Sequence, residues 1–127
     1  MPVYSFFGLN WSNPSHWRPL QSAALPHSAD PQPATIDQAD VYLVWLGDTP
    51  LALSRRTPSV QVDGGCRIQW DQAEQLFVDP CGGSRFLRDG RYKYGPAPRS
   101  LDRLPVRIVN HTIEIDPMHT ELGEQHP

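Results

Sequence analysis

The segment that decides the fold is Asp79-Pro80-Cys81-Gly82-Gly83-Ser84-Arg85-Phe86. Its two adjacent glycines indicate a close backbone approach or a positive φ, both of which glycine permits. Three other pieces surround it in the chain: GCRIQW at residues 65–70, DGR at residues 89–91, and GPAP at residues 95–98, followed by Leu101. Order and spacing make the four pieces informative together, although GPAP alone would be a weak signal.

Short apolar runs separated by turns predict an antiparallel, all-β protein. The predicted strands are residues 41–46, 51–54, 66–70, 75–78, 85–87, 91–94, 106–109 and 112–115. Asn110-His111 joins the last two strands, whose apolar side chains alternate as in a half-buried hairpin. Gly90 stands in the turn between residues 85–87 and 91–94, where a left-handed backbone is favoured. Strands at this spacing indicate an antiparallel β-sandwich or a small barrel of stacked short sheets.

The chain divides into three predicted parts. Residues 1–36 form an irregular arm rich in proline and aromatic residues, residues 37–116 form the β domain, and residues 117–127 form a polar tail without periodicity. Such a tail is expected to be mobile. The candidate partner-binding side chains in the arm are Phe6, Phe7, Trp11 and Trp17. Large aromatic groups dominate both cores and interfaces, so packing on the chain's own domain is an equal alternative.

Composition excludes several classes of function. A formal net charge of −3 argues against nucleic-acid binding, which needs clustered Lys and Arg. No apolar run approaches the roughly 20 residues needed to span a bilayer. The first nine residues are apolar, but no Lys or Arg precedes Arg18, so the start does not resemble a secretory signal. We expect a cytoplasmic protein or one peripheral to a membrane complex. No spacing of Ser, His or acidic residues suggests catalysis, and we expect no enzymatic activity.

The four pieces resemble the Rieske [2Fe–2S] domain family, in particular the Rieske proteins of cytochrome bc-type complexes. Residues 79–86 resemble the second cluster loop, Cys-Pro-Cys-His-Gly-Ser-x-Phe/Tyr, and residues 65–70 resemble the end of the first cluster loop and the strand after it. Residues 89–91 and 95–98 resemble the next hairpin and the family's proline loop. The resemblance covers about residues 40–116 and implies a Rieske-like β fold.

The ligands of the cluster are the point of departure from the family. A Rieske cluster takes one Cys and one His from each loop. Cys81 stands at the cysteine position of the second loop, and Gly82 stands where the family has histidine. In the first loop, counting back from Cys66 places Gln61 and Asp63 at the ligand positions, whereas matching the preceding strand places Thr57 and Ser59 there. Neither alignment supplies Cys or His, so we expect no cofactor and no repurposed metal site.

The two cysteines, Cys66 and Cys81, leave two alternatives open. In the family, the cysteine at the Cys66 position bonds to the first cysteine of the second loop, and Asp79 stands there in this chain. A Cys66–Cys81 disulfide could clip the loops together and stabilise the fold by about 3 kcal/mol. The alternative is a pair of reduced, buried thiols. Ser84 would donate to a sulfide in a cluster-bearing relative, and here we expect it to satisfy a loop backbone group.

Three hypotheses for the function follow. The first is a cluster-free Rieske-like subunit or protein-binding module, accessory to an electron-transfer or membrane-associated complex, with subunits of that complex as partners. The second is an electron-transfer protein whose [2Fe–2S] cluster uses non-standard ligands. The third is a thiol–disulfide protein that acts through Cys66 and Cys81.

Overall fold

The computed structural model describes residues 16–20, 30–58 and 66–126. The regular secondary structure of these residues consists of short β-strands. In chain order they are β1 (Arg18–Pro19), β2 (Gln32–Ile36), β3 (Ala39–Leu46), β4 (Thr49–Ser54), β5 (Gln69–Asp71), β6 (Leu76–Val78), β7 (Arg85–Phe86), β8 (Tyr92–Tyr94), β9 (Arg103–Leu104), β10 (Val106–Val109) and β11 (Thr112–Ile115).

The strands form three antiparallel sheets, with the orders β1-β11-β10, β2-β3-β4-β9 and β5-β6-β7-β8. The all-β prediction is confirmed, and both hairpins that the turn residues indicated are present. Asn110 and His111 have φ of 50° and 66°, the mirror-image turn that suits a two-residue hairpin. Gly90 has φ of 89° between β7 and β8.

Strand β3 lies between two hydrophobic cores. Alternate side chains of a strand point to opposite faces, and here Val41 and Leu43 enter one core while Tyr42 and Val44 enter the other. This explains why residues 41–46 form a continuous apolar run instead of an alternating one. We call the first the base core; its members are Leu20, Ile36, Val41, Leu43, Trp45, Ala52, Leu104, Ile113 and Ile115. We call the second the loop-side core; its members are Tyr42, Val44, Leu53, Ile68, Phe77, Phe86, Ala97 and Leu101.

Two strands lie within the part predicted to be an irregular arm. β2 pairs with β3 along five residues, and β1 pairs with β11. β2 contains Pro33 and is an edge strand of its sheet, which is where a strand tolerates a residue without an N–H donor. Proline content therefore obscured a strand that pairs on one side only.

The polar tail also differs from its prediction. Residues 121–126 lie against residues 97–103, with backbone bridges from Glu121 to Arg103 and from Gln125 to Arg99. Among the described residues, no helix has the length and apolar character needed to cross a membrane.

Candidate functional site

The second candidate loop, residues 79–84, connects β6 to β7 and is closed by its own backbone. The N–H of Asp79 donates to the carbonyl of Ser84 over 2.9 Å, and the N–H of Gly83 donates to the carbonyl of Asp79 over 2.8 Å. Gly83 has φ of 88°, a conformation that side chains other than glycine rarely adopt. The loop is therefore a tight turn whose outer residues, Cys81 to Gly83, are exposed.

The Asp79 carboxylate lies fully buried inside this turn. Oδ1 accepts the backbone N–H groups of Cys81 and Gly82, at 3.0 and 3.1 Å. Oδ2 accepts the hydroxyl of Thr57 at 2.7 Å. A buried carboxylate is stable only where hydrogen bonds satisfy its oxygens, and here both oxygens have donors. Asp79 thus joins Thr57, one of the candidate positions of the first loop, to the second candidate loop, and it accepts two of the turn's N–H groups.

The two cysteines meet beside this carboxylate. The structure pairs Cys66 with Cys81 as a disulfide, with Cα atoms 6.1 Å apart, a separation normal for such a bond. Cys81 is exposed, and Cys66 is half-buried. Cys66 precedes Arg67, which pairs across a backbone bridge with Arg56. The disulfide therefore links the two loops at the surface, close to the hydrogen bond between Thr57 and Asp79.

Among the ligand positions that the structure describes, only Cys81 has a side chain of a kind that binds a [2Fe–2S] cluster. Gly82 has no side chain, and a Cβ built there would lie 3.2 Å from Asp79 Oδ2, so the space next to it is occupied by a carboxylate. The sulfur of Cys81 is committed to Cys66. Hard oxygen donors such as those of Thr57 and Asp79 suit sulfide clusters poorly. Within the described ranges, no three His, Cys, Asp or Glu residues are grouped so as to hold a metal ion.

The proline loop, residues 95–98, packs directly on the second candidate loop. The buried hydroxyl of Ser84 accepts the N–H of Ala97 at 2.9 Å, so the predicted backbone role of this hydroxyl is confirmed. Gly95 has φ of 113°, and a Cβ there would lie 2.5 Å from the Cα of Ser84. The hydroxyl of Tyr92 donates to the carbonyl of Gly95 at 2.6 Å. Close backbone contact at Gly95 therefore requires glycine.

A cleft of about 1080 Å³ opens beside Cys66. Its basic lining residues are Arg55, Arg56, Arg67 and Arg99. Arg67 pairs with Asp40, and Arg99 pairs with Asp102 through two hydrogen bonds. The hydrogen bonds to Asp102 raise the pKa of Arg99, so the guanidinium stays charged at any ordinary pH. Two of the four arginines that line the cleft are thus paired with carboxylates.

The remaining predicted residues divide by position. Ser59, Gln61 and Asp63 lie outside the described residues, as do Phe6, Phe7 and Trp11. Trp17 is described, and the guanidinium of Arg107 lies 4.2 Å from its ring centroid. This contact is within the chain, so Trp17 packs on its own domain.

Sequence reasoning placed Asp79 at the position of the family's disulfide cysteine and missed its structural role. An Asp that starts a turn often accepts N–H groups two and three residues later, and this local signal was available. The partnership with Thr57, 22 residues away, had no local signal. Contacts of the C-terminal residues with the proline loop were likewise not foreseeable from pattern, because residues 117–127 show no periodicity.

The stacked antiparallel sheets and the two adjoining loops define a Rieske-like domain. In sequence, the chain is similar to the cytochrome b6-f complex iron-sulfur subunit of Synechococcus sp. JA-3-3Ab, with 36% identity over 53 residues, 42% of this chain and 31% of that protein. It is also similar to the chloroplastic subunits of Bigelowiella natans and of Oryza sativa. The Bigelowiella natans subunit is 42% identical, and the match covers 60% of this chain and 30% of that protein. The Oryza sativa subunit is 49% identical, and the match covers 47% of this chain and 26% of that protein.

A solved structure supports the same fold. The plasma membrane Rieske protein PetC3 from Synechocystis PCC 6803 matches with a TM-score of 0.52 and 25% identity, over 65% of this chain and 82% of that chain. No protein-family model matches the sequence. The curated relatives cited are matched over only about three tenths of their length.

Proposed function

We propose that this chain is a cluster-free Rieske-like subunit that works as a protein-binding module in an electron-transfer complex. The observation that carries the proposal is the buried Asp79 carboxylate, which takes the loop N–H groups and the Thr57 hydroxyl. The centre of the site is thus filled by the chain's own polar groups. The similar subunits belong to cytochrome b6-f complexes, which supports a redox complex as the setting and its subunits as the partners.

The Cys66–Cys81 disulfide has a structural role in this proposal. In a cluster-bearing domain the metal centre joins the two loops, and here a covalent bond between them would do the same. Closing a loop of this length stabilises a fold by about 3 kcal/mol in the chain-entropy model. The bond and the hydrogen bonds of Asp79 act at the same junction, so the loops keep their arrangement without iron.

Iron content and the visible spectrum of the purified chain test the cluster-free state. We expect colourless protein with no stoichiometric iron. The control is the Synechocystis PetC3 protein, expressed and purified in parallel, which shows that the host assembles Rieske clusters. About two iron atoms per chain, with the visible absorption of a [2Fe–2S] centre, would overturn the proposal in favour of non-standard ligands.

Partner binding is tested separately, by co-purification with the membrane complexes of the source cells. Trp11→Ala and Trp17→Ala are expected to weaken the association if the arm carries the docking surface. Leu122→Ala is a matched control, because its exposed side chain lies at the other end of the chain. Retention of both Trp variants at the level of the control would count against the arm as the docking surface.

A specific observation also favours a second candidate, a thiol–disulfide function. Cys81 is exposed, so the thiolate of a soluble thiol could attack its sulfur, form a mixed disulfide with Cys81 and release Cys66 as a thiolate beside the arginine-lined cleft. Positive charge nearby favours thiolate. Alkylation followed by mass spectrometry distinguishes the disulfide from a pair of reduced thiols. Labelling of both cysteines without reductant would contradict both the thiol–disulfide function and the structural disulfide.

A further inference from the structure

The last residues of the chain form a defined contact, although their composition predicts a mobile tail. We name residues 121–126 the C-terminal strap, and the surface formed by residues 97–103 with Tyr92 the strap face. The N–H of Arg103 donates to the carbonyl of Glu121 at 2.8 Å, and the N–H of Glu121 returns a bond of 2.7 Å to Arg103. The N–H of Ser100 donates to the carbonyl of Glu124 at 2.9 Å. This is strand addition, in which backbone groups supply most of the recognition.

Glycine at position 123 is required by this contact. A Cβ on Gly123 would collide with the carbonyl oxygen of Ser100. Its N–H donates to Oδ1 of Asp102 at 2.9 Å, and the carboxylate of Asp102 is itself held by Arg99. Asp102 is 5% exposed, so it forms a fixed, buried acceptor for one residue of the strap. The strap face therefore requires glycine at position 123 of the strap and not only an extended backbone.

His126 anchors the end of the strap. Its ring lies parallel to that of Tyr92, with 3.6 Å between centroids and 6° between planes. Nε2 lies 2.6 Å from the carbonyl oxygen of Ala97, an acceptor, so this nitrogen carries the proton. Ala97 is fully buried, and its own N–H donates to Ser84. The proline loop is thus held on one side by the second candidate loop and on the other by His126.

We propose that the C-terminal strap is an intramolecular ligand of the strap face, and that it holds the proline loop in place on the candidate site. Backbone geometry supports this choice of occupant, since the N–H groups of Ser100 and Arg103 on the face both donate to carbonyl groups of the strap. Any other extended segment that pairs with Ser100 and Arg103 must first displace the strap. The inference goes beyond the proposed function, because it holds whether or not the chain carries iron.

Hydrogen exchange on the full-length protein tests the proposal. Gly123→Ala is expected to release the strap and speed exchange at the amides of Ser100 and Arg103 by about tenfold or more, since these N–H groups lose their acceptors. Met118→Ala is the matched control, because Met118 is 70% exposed and lies outside the strap. The amide of Leu101 is an internal reference, since it donates to the carbonyl of Gly90 and not to the strap. Equal exchange in the two variants would overturn the proposal.

A synthetic peptide of residues 117–127 tests whether the strap is a ligand. Added in excess to the full-length Gly123→Ala variant, the peptide is expected to restore slow exchange at the amides of Ser100 and Arg103. A control peptide that carries the Gly123→Ala substitution is expected to leave exchange at these amides fast. Failure of the native peptide at millimolar concentration would overturn the ligand interpretation. If Gly123→Ala does not fold, His126→Ala in the full chain replaces it. It is expected to speed exchange at Ser100 about threefold, and unchanged exchange would count against the proposal.

Discussion

The base and the loop side of the molecule are stabilised by different means, although they share strand β3. The base core consists of aliphatic side chains and Trp45. The loop side combines a core containing Phe77 and Phe86 with buried polar groups, of which Asp79 and Ser84 are fully buried. Apolar burial is non-directional, whereas buried hydrogen bonds fix geometry and are costly to leave unmade. Both cores therefore supply stability, and the buried polar groups of the loop side also specify where the loops lie.

The largest expected effect comes from the apolar part of the loop side. Phe86→Ala removes a ring that is fully buried beside the second candidate loop. Loss of transfer free energy and the remaining cavity are expected to lower the free energy of unfolding by about 3–5 kcal/mol, measured by urea denaturation. Leu122→Ala, an exposed truncation, is expected to change it by less than about 0.5 kcal/mol. A loss under about 1 kcal/mol for Phe86→Ala would contradict the assigned core.

Reduction of the Cys66–Cys81 bond is expected to have the next largest effect. Adding reductant to the wild-type chain is expected to lower the unfolding free energy by about 3 kcal/mol, because the unfolded chain regains the entropy of an open loop. A Cys66→Ala/Cys81→Ala double variant is the control, since its stability cannot depend on a disulfide. If reductant leaves the wild type unchanged, the two loops are not covalently joined in solution.

Asp79→Ala tests the polar junction between the loops. The substitution removes the acceptor of the Cys81 and Gly82 N–H groups and the hydrogen bond to Thr57, and we expect a loss of about 2–3 kcal/mol. Asp79→Asn keeps a carbonyl oxygen for the two N–H groups and is expected to cost about half as much. Urea denaturation of both variants separates acceptor geometry from charge. Equal losses would show that the negative charge matters more than the acceptor positions.

The smallest expected effects come from removing single hydroxyl groups, one buried and one exposed. Ser84→Ala removes the acceptor of the Ala97 N–H and is expected to cost about 1–2 kcal/mol. Thr35→Ala removes an exposed hydrogen bond to Asp40 on the base side and is expected to cost less than about 0.5 kcal/mol. Thermal denaturation monitored by near-ultraviolet circular dichroism measures both. Indistinguishable variants would contradict the distinction between the two halves.

Local sequence accounts for most of the strands. Residues 106–109 and 112–115, predicted from alternation around Asn110-His111, are the strands β10 and β11. β2 and β9 were missed for different reasons. β2 contains a proline that its edge position tolerates. β9 has two residues, which pair with β4 about 50 positions earlier in the chain, and one of them, Arg103, also pairs with Glu121. Very short strands have no period of their own and depend on a partner strand.

By itself, the sequence determined which side chains are present at the ligand positions, and it therefore predicts that three of the four nitrogen and sulfur donors are missing there, with Cys81 as the exception. It also determined the hairpins, because turn residues and alternation act over a few neighbouring positions. Only the tertiary structure decided that Asp79 is buried against Thr57, that Cys66 meets Cys81 and that His126 lies on Tyr92. These contacts join residues far apart in the chain, and their formation depends on the packing of the sheets that bring them together.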